Sequence, residues 1–150
     1  MSKELFVRNN ITINAPAAAV WDALVNPART KQYMFGCETV SDWKKGSELL
    51  WKMIHEGKEL IAVKGNIEEI IPGKRLIYTT IDPNSNIDDT SEKYLQVTYD
   101  LTEDNGQTLL QVSQGNYATV NEGERRFREA EEAGGWSALL EEIKKLVEAN

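Results

Sequence analysis

The sequence predicts an α+β fold in which a curved antiparallel sheet wraps around a long C-terminal helix. The hydrophobic period is 3.6 residues near the start of the chain, changes to two over residues 38–116, and returns to 3.6 near the end. Strands that follow one another through short turns, with no helix between them, pair antiparallel. The apolar stripe near the C-terminus needs a large partner, and the sheet is the one available.

The first elements are a strand and two short helices. Residues 5–14 alternate after their first positions, which predicts a strand. Pro16 suits the first turn of a helix, because its missing N–H would be unpaired there. An apolar stripe at i, i+3, i+4 and i+7 follows: Ala17, Val20, Trp21 and Leu24. Asn26 as N-cap and Pro27 at the first helical position predict a second helix from Ala28 to about Tyr33.

The middle of the chain predicts the antiparallel sheet. Strands are expected at residues 47–55, 59–71, 75–81, 94–101 and 108–117. Gly57, Gly73 and Gly106 mark the turns between them. The polar residues 82–92 are expected to form a mobile loop. One face of the strand 47–55 would carry Leu49, Trp51, Met53 and His55, and one face of the strand 59–71 would carry Ile61, Val63, Gly65 and Ile67.

A helical region is predicted from about residue 121 to residue 149. Its apolar stripe consists of Trp136, Leu139, Leu140, Ile143 and Val147. Gly134 and Gly135 interrupt the pattern, which predicts a kink or a close approach of another part of the backbone.

Charge and cysteine content restrict the classes of function. Seventeen Lys and Arg against 24 Asp and Glu give a net charge of −7, which argues against nucleic acid and against adsorption to an anionic membrane. No apolar run reaches membrane-spanning length, and no signal-peptide pattern follows the N-terminus, so no membrane insertion is expected. The single Cys37 fits a reducing compartment. We therefore expect a cytoplasmic protein.

Three segments resemble one known family, and together they cover most of the chain. The first is Ile11-Thr12-Ile13-Asn14-Ala15-Pro16, with Val20-Trp21-Asp22-Ala23-Leu24 and Asn26-Pro27 after it. The second runs from Gly65 through Pro72 to Arg75-Leu76-Ile77-Tyr78-Thr79. The third is Gly135-Trp136 followed by Leu139, Leu140 and Ile143. These segments resemble the START-like (SRPBCC) superfamily, in particular the branch named after the activator of heat-shock protein 90 ATPase.

The resemblance implies a helix-grip fold and a single domain over residues 1–150. The chain departs from the family at Tyr33-Met34-Phe35, where a Trp is frequent, and at Lys45-Gly46-Ser47, where Gly-Gly is usual. The matching positions are mainly packing positions, turns and cavity walls. The resemblance therefore implies a fold, and a cavity of the kind that relatives often have, more than an activity.

Catalytic and metal-binding patterns are missing from the sequence. His55 is the one histidine, and exposure beside a turn is its simpler interpretation; Cys37 is expected to be a buried thiol. One His and one Cys give no zinc pattern, and neither Gly57-Lys58 nor Gly73-Lys74 precedes a helix as a phosphate loop would. We therefore predict no catalytic residue, metal or cofactor.

Large aromatic and sulfur side chains remain, and two interpretations stay open for them. They either fill a core or line a cavity with a few polar groups. The candidates are Tyr33, Phe35, Trp51, Met53, His55, Tyr78, Tyr117, Phe127, Trp136 and Leu140. Tyr78, Tyr117 and His55 could supply the polar groups.

Three functions follow from these observations. The first is binding of a small hydrophobic or amphipathic ligand between the sheet and the C-terminal helix. The alternative is a chaperone-associated interaction domain, which the resemblance implies. The third is a cyclase- or hydrolase-type enzyme, for which the sequence offers no convincing polar pair. The expected partners are a small apolar ligand and, under the alternative function, a chaperone or other protein; the expected state is a monomer or weak homodimer.

Overall fold

Seven strands form one antiparallel sheet within residues 4–34, 36–81, 95–120 and 122–149, which the computed structural model describes. The strands are β1 (Val7–Ile13), β2 (Glu38–Ser41), β3 (Glu48–His55), β4 (Lys58–Ile71), β5 (Arg75–Thr80), β6 (Leu95–Asp104) and β7 (Gln107–Gly115). Their order across the sheet is β1-β7-β6-β5-β4-β3-β2. The helices are α1 (Ala17–Val25), α2 (Pro27–Tyr33), α3 (Gly123–Glu132) and α4 (Ser137–Glu148). The predicted α+β helix-grip class is confirmed.

The local signals of the sequence account for most of these elements. The Asn26 side chain accepts a hydrogen bond from the backbone N–H of Ala28 at 3.0 Å, so it caps α2 as predicted. Asn105 and Gly106 have φ of 54° and 79° and close the β6–β7 hairpin, a turn that suits the twist of paired strands. The short strand β2 was not predicted separately. Tyr94 and the predicted loop at residues 82–92 lie outside the described residues.

Two β-bulges interrupt β4. Trp51 pairs with Val63 but Lys52 pairs with Ile61, so Ala62 is an extra residue; Glu68 is a second extra residue in the pairing with β5. Each extra residue reverses the alternation of side chains. The prediction that Ile61 shares a face with Val63 is therefore wrong, because it assumed an uninterrupted ladder. Bulges also bend a strand, which helps this sheet to curve.

The predicted C-terminal helical region is divided into α3 and α4. Gly134 and Gly135 have φ of 89° and 58°, and two successive residues in this region end a right-handed helix. Asn9 of β1 holds the break: its side chain accepts from the Trp136 N–H at 2.9 Å and donates to the Gly134 carbonyl at 3.3 Å. The sequence predicted a kink here, and the structure has a complete break.

Helix α4 packs against β1, α1 and α2. Its buried residues Leu140, Ile143 and Val147 join a core that includes Ile13 and Leu24. This arrangement places the sheet, the connection between α2 and β2, and the break before α4 around a common space. In the described part of the chain, no helix is long and apolar enough to cross a membrane.

Candidate functional site

A cavity of about 410 Å³ lies between the concave side of the sheet and the helices. This volume is within the usual range of small-molecule sites, roughly 300–1,000 Å³. The described residues that line it are Val7, Met34, Cys37, Trp51, Met53, Ala62, Val63, Tyr78, Thr80, Val97, Gln114, Ala130, Gly135, Trp136 and Leu139. None of these lining residues carries a formal charge. The wall is therefore apolar, with a few neutral polar groups.

One row of cross-strand neighbours forms the floor of the cavity. Tyr78 of β5 pairs with Val97 of β6, Val97 pairs with Gln114 of β7, and Gln114 pairs with Val7 of β1. Residues that pair directly across antiparallel strands point to the same face of the sheet. All four side chains therefore face the same space.

The rest of the wall comes from three other parts of the fold. Met34 and Cys37 lie between α2 and β2, and Ala62 and Val63 lie at the first bulge of β4. Because the bulge reverses the alternation, these two successive residues of β4 both border the cavity. Ala130, Gly135, Trp136 and Leu139 come from α3, the break and α4.

Four aromatic rings form a chain along the cavity. The ring centroids of Trp51 and Tyr78 are 6.4 Å apart, those of Tyr78 and Tyr99 5.6 Å, and those of Tyr99 and Trp136 5.9 Å. The last two pairs meet edge to face, an arrangement that stabilises buried rings. These contacts hold Tyr78 and Trp136 in place on the wall.

Tyr78 and Tyr99 share a hydrogen bond in the interior. Their hydroxyl oxygens are 2.8 Å apart, and the two side chains are 2% and 1% exposed. Burial is the main cause that raises the pKa of both phenols. Both therefore stay neutral and act through hydrogen bonds.

Trp136 and Gln114 connect the break before α4 to the floor. The indole N–H of Trp136 donates to the side-chain oxygen of Gln114 at 3.0 Å. An indole can only donate, so this bond fixes the orientation of the Gln114 amide. The amide –NH₂ of Gln114 is left as the donor on the cavity wall.

The structure brings four of the predicted site residues to this cavity: Trp51, Met53, Tyr78 and Trp136. Tyr33 and Leu140 lie instead in the core, where the Tyr33 hydroxyl donates to the Ala23 carbonyl at 2.8 Å. Tyr117 and Phe127 pack against each other at 5.9 Å between ring centroids and are not among the described lining residues. Phe35 and the side chain of His55 lie outside the described residues.

Several lining residues carry no chemical signal in the sequence. Val7, Val97 and Gln114 reach the cavity through strand register, and Ala62 reaches it through a bulge. Cys37 is buried as expected, and burial raises the pKa of its thiol, which keeps it protonated. Among the described residues, no group of three or more His, Cys, Asp or Glu is arranged to hold a metal.

Comparisons with known proteins agree with this architecture. The solution structure of ChR145 from Cytophaga hutchinsonii is 36% identical in sequence, covers 99% of this chain and 97% of its own, and superimposes with a TM-score of 0.78. The crystal structure of MLL2253 from Mesorhizobium loti is 18% identical, with coverages of 97% and 98% and a TM-score of 0.72. The solution structure of the Aha1 dimer from Colwellia psychrerythraea is 15% identical, with coverages of 95% and 95% and a TM-score of 0.67.

The two less similar structures show the fold alone. No curated protein matches the sequence. The family model described as activator of Hsp90 ATPase homolog 1-like protein matches residues 14–148, nearly the whole chain. This match confirms the resemblance that the three sequence segments indicated, and the chain belongs to the activator of Hsp90 ATPase homolog 1-like family.

Proposed function

We propose that this protein binds a small hydrophobic or amphipathic ligand in the cavity between the sheet and the helices. The observation that carries the proposal is the cavity itself, about 410 Å³ bordered by Trp51, Met53, Tyr78 and Trp136. Protein interiors are close-packed, with few voids larger than a water molecule. An uncharged, mostly apolar space of this size supports a ligand site better than a packing defect.

The cavity also favours binding over the two other functions. A chaperone-interaction domain that works through its surface needs no internal space. An enzyme of the cyclase or hydrolase type needs a pair of groups that includes a base, and the described wall contains no Asp, Glu, His, Lys or Arg. Tyr78 is held neutral by burial, so it does not serve as a base near neutral pH.

Substitution of Leu139 tests the proposal. Leu139 of α4 borders the cavity, so Leu139→Trp is expected to fill part of the space and to weaken ligand binding. Leu146 lies on the same helix, is half-buried like Leu139 and is not a described lining residue, so Leu146→Trp is the matched control. The measurement is thermal unfolding with a panel of sterol-like, fatty-acid and aromatic polyketide compounds.

A ligand present at 100 times its dissociation constant stabilises the folded protein by about 2.7 kcal/mol, a clear rise in melting temperature. We expect at least one class to produce this rise with the unmodified chain and with Leu146→Trp, and a much smaller rise with Leu139→Trp. If no class changes the melting temperature, or if both variants respond alike, the cavity is not the binding site.

The proposal includes a cytoplasmic location and a monomer or weak homodimer. The solved Aha1 protein of Colwellia psychrerythraea is described as a dimer, which supports testing the association of this chain. Analytical ultracentrifugation at several concentrations measures it, and a concentration-independent dimer mass would contradict a weak association.

A further inference from the structure

The hydrogen bond between Tyr78 and Tyr99 leaves one hydroxyl hydrogen to be accounted for. Each phenol has one hydroxyl hydrogen. One of the two hydroxyl hydrogens lies between the oxygens, which are 2.8 Å apart. Among the described residues, neither hydroxyl has a second hydrogen-bond partner. A buried O–H without an acceptor is destabilising. The second hydrogen therefore needs an acceptor that the described part of the protein does not supply.

The position of the two side chains indicates which hydrogen this is. Tyr78 borders the cavity, whereas Tyr99 is 1% exposed and is not a described lining residue. If Tyr99 donates to Tyr78, the remaining hydrogen belongs to Tyr78, the one of the two residues that borders the cavity. In the opposite arrangement the remaining hydrogen belongs to Tyr99 and has no acceptor among the residues that the structure describes. The first arrangement is the one that satisfies both groups.

Gln114 provides a second donor in the same row of residues. Its oxygen accepts from Trp136, so its –NH₂ group is available, and no described residue accepts from it. Tyr78 and Gln114 lie on β5 and β7 on either side of Val97. The strand separation places their backbones about 10 Å apart. A single bound molecule can therefore meet both donors.

The absence of charge on the described wall restricts the partner of these donors. An ionised carboxylate held against the described wall would lose water without meeting an opposite charge there, which is costly. A ketone or similar neutral oxygen accepts hydrogen bonds without that cost. We propose that the cavity selects neutral, largely apolar molecules with a hydrogen-bond-accepting oxygen, and that Tyr78, aligned by Tyr99, donates to that oxygen. This inference rests on the proposed ligand-binding function and specifies the class of ligand.

Three probes with one aromatic skeleton test the inference: benzophenone, diphenylmethane and 4-benzoylbenzoate. The first has a neutral carbonyl, the second has none, and the third adds a carboxylate. Isothermal titration calorimetry on the full chain is expected to show benzophenone binding roughly two- to tenfold more tightly than diphenylmethane, the value of one net hydrogen bond. The carboxylate probe is expected to bind more weakly than benzophenone.

The variant Tyr78→Phe with Tyr99→Phe removes both hydroxyls, so neither is left unpaired. Its preference for benzophenone over diphenylmethane is expected to be clearly smaller than that of the unmodified chain, because Gln114 is then the remaining donor. Tyr117→Phe removes a phenol that is not on the described wall, so this control keeps the preference for benzophenone. Circular dichroism establishes that each variant is folded.

Each outcome decides the question. Equal binding of the two neutral probes to the unmodified chain, tightest binding of 4-benzoylbenzoate, or an undiminished preference for benzophenone in the double variant overturns the inference but leaves ligand binding intact. Failure of all three probes to bind overturns the inference, and if the broader panel also has no effect the proposed function fails with it. The probe comparison on the unmodified chain decides the inference even where the double variant does not fold.

Discussion

Three tyrosines lie in the interior of this protein near one another. Burial is the main cause that raises the pKa of Tyr33, Tyr78 and Tyr99, and their mutual electrostatic influence adds to it. The Tyr33 hydroxyl donates to the Ala23 carbonyl, whereas Tyr78 and Tyr99 bond to each other. At the scale of single residues, the site therefore depends on neutral hydrogen bonds whose directions are set by the surrounding packing.

The buried phenols predict a loss of stability at high pH. A free tyrosine ionises near pH 10, whereas these three keep their protons in the folded state. Their contribution is fully present below about pH 10 and is lost as the pH rises from there towards the folded pKa. We expect the free energy of unfolding to fall by up to about 1.4 kcal/mol per pH unit for each of them.

Urea unfolding between about pH 8 and pH 11, the range around the free tyrosine pKa, measures this dependence. The double variant Tyr78→Phe with Tyr99→Phe is the comparison, because it removes two of the three groups. Its stability should fall less steeply with pH. Equal slopes for the variant and the unmodified chain would contradict the prediction.

The break between α3 and α4 determines how the C-terminal region meets the sheet. The positive φ angles of Gly134 and Gly135 turn the chain, and Asn9 binds the backbone on both sides of Gly135. This places Trp136 where its indole reaches Gln114 on the floor. The break therefore joins α4 to β1 through Asn9 and to the cavity floor through Trp136.

Gly135→Ala tests the importance of the break. A Cβ atom at Gly135 would lie 2.4 Å from Asn9 Oδ1 and 2.6 Å from Val7 Cγ1, both closer than atoms tolerate. Gly73 is the matched control, because its φ is also positive, at 77°, but a Cβ there meets nothing within 4 Å. Both substitutions strain the backbone. Only Gly135→Ala also overpacks its surroundings, at a further cost of about 1–3 kcal/mol.

Chemical unfolding of the two variants gives the comparison. We expect Gly135→Ala to be the less stable protein and also to bind ligand more weakly, because Val7 borders the cavity. Equal stability of the two variants would mean that Asn9 and Val7 move aside without cost.

The whole molecule combines a packed core with a region that is left open. On one side, Leu140, Ile143, Leu24 and Ile13 are almost completely buried. On the other, the curved sheet, the connection between α2 and β2, and the break border the cavity. An unfilled space lacks the side-chain contacts that would otherwise stabilise the folded state. Such a loss of stability is common at functional sites.

Filling the cavity is therefore expected to stabilise the ligand-free protein. Val97 and Val112 are valines of central strands, 1% and 2% exposed, and only Val97 is a described lining residue. Val97→Leu should raise the free energy of unfolding by about 0.5–2 kcal/mol, as cavity-filling substitutions do. Val112→Leu should lower it by about 1–3 kcal/mol, because it overpacks a filled region.

Thermal and urea unfolding without ligand measure both effects, and the binding assay should show that Val97→Leu weakens binding. If Val97→Leu destabilises the protein as much as Val112→Leu does, the space beside Val97 is not available.

Much of the fold was predictable because its signals are local. Caps such as Asn26, turn residues such as Gly106 and the change of hydrophobic period depend on a few neighbouring residues. The candidate site was predictable only in part. Trp51, Met53, Tyr78 and Trp136 were identified by size and position, and the same criteria also selected Tyr117 and Phe127, which pack on each other.

The sequence alone therefore predicted the order of most helices and strands, the family, and a large set of apolar side chains. Which of these side chains border the cavity became clear only from the folded structure. The arrangement depends on the register that aligns Tyr78, Val97, Gln114 and Val7, and on the bulge at Ala62. It also depends on Asn9 holding the break before Trp136. These contacts join residues far apart in the chain, so no local pattern encodes them.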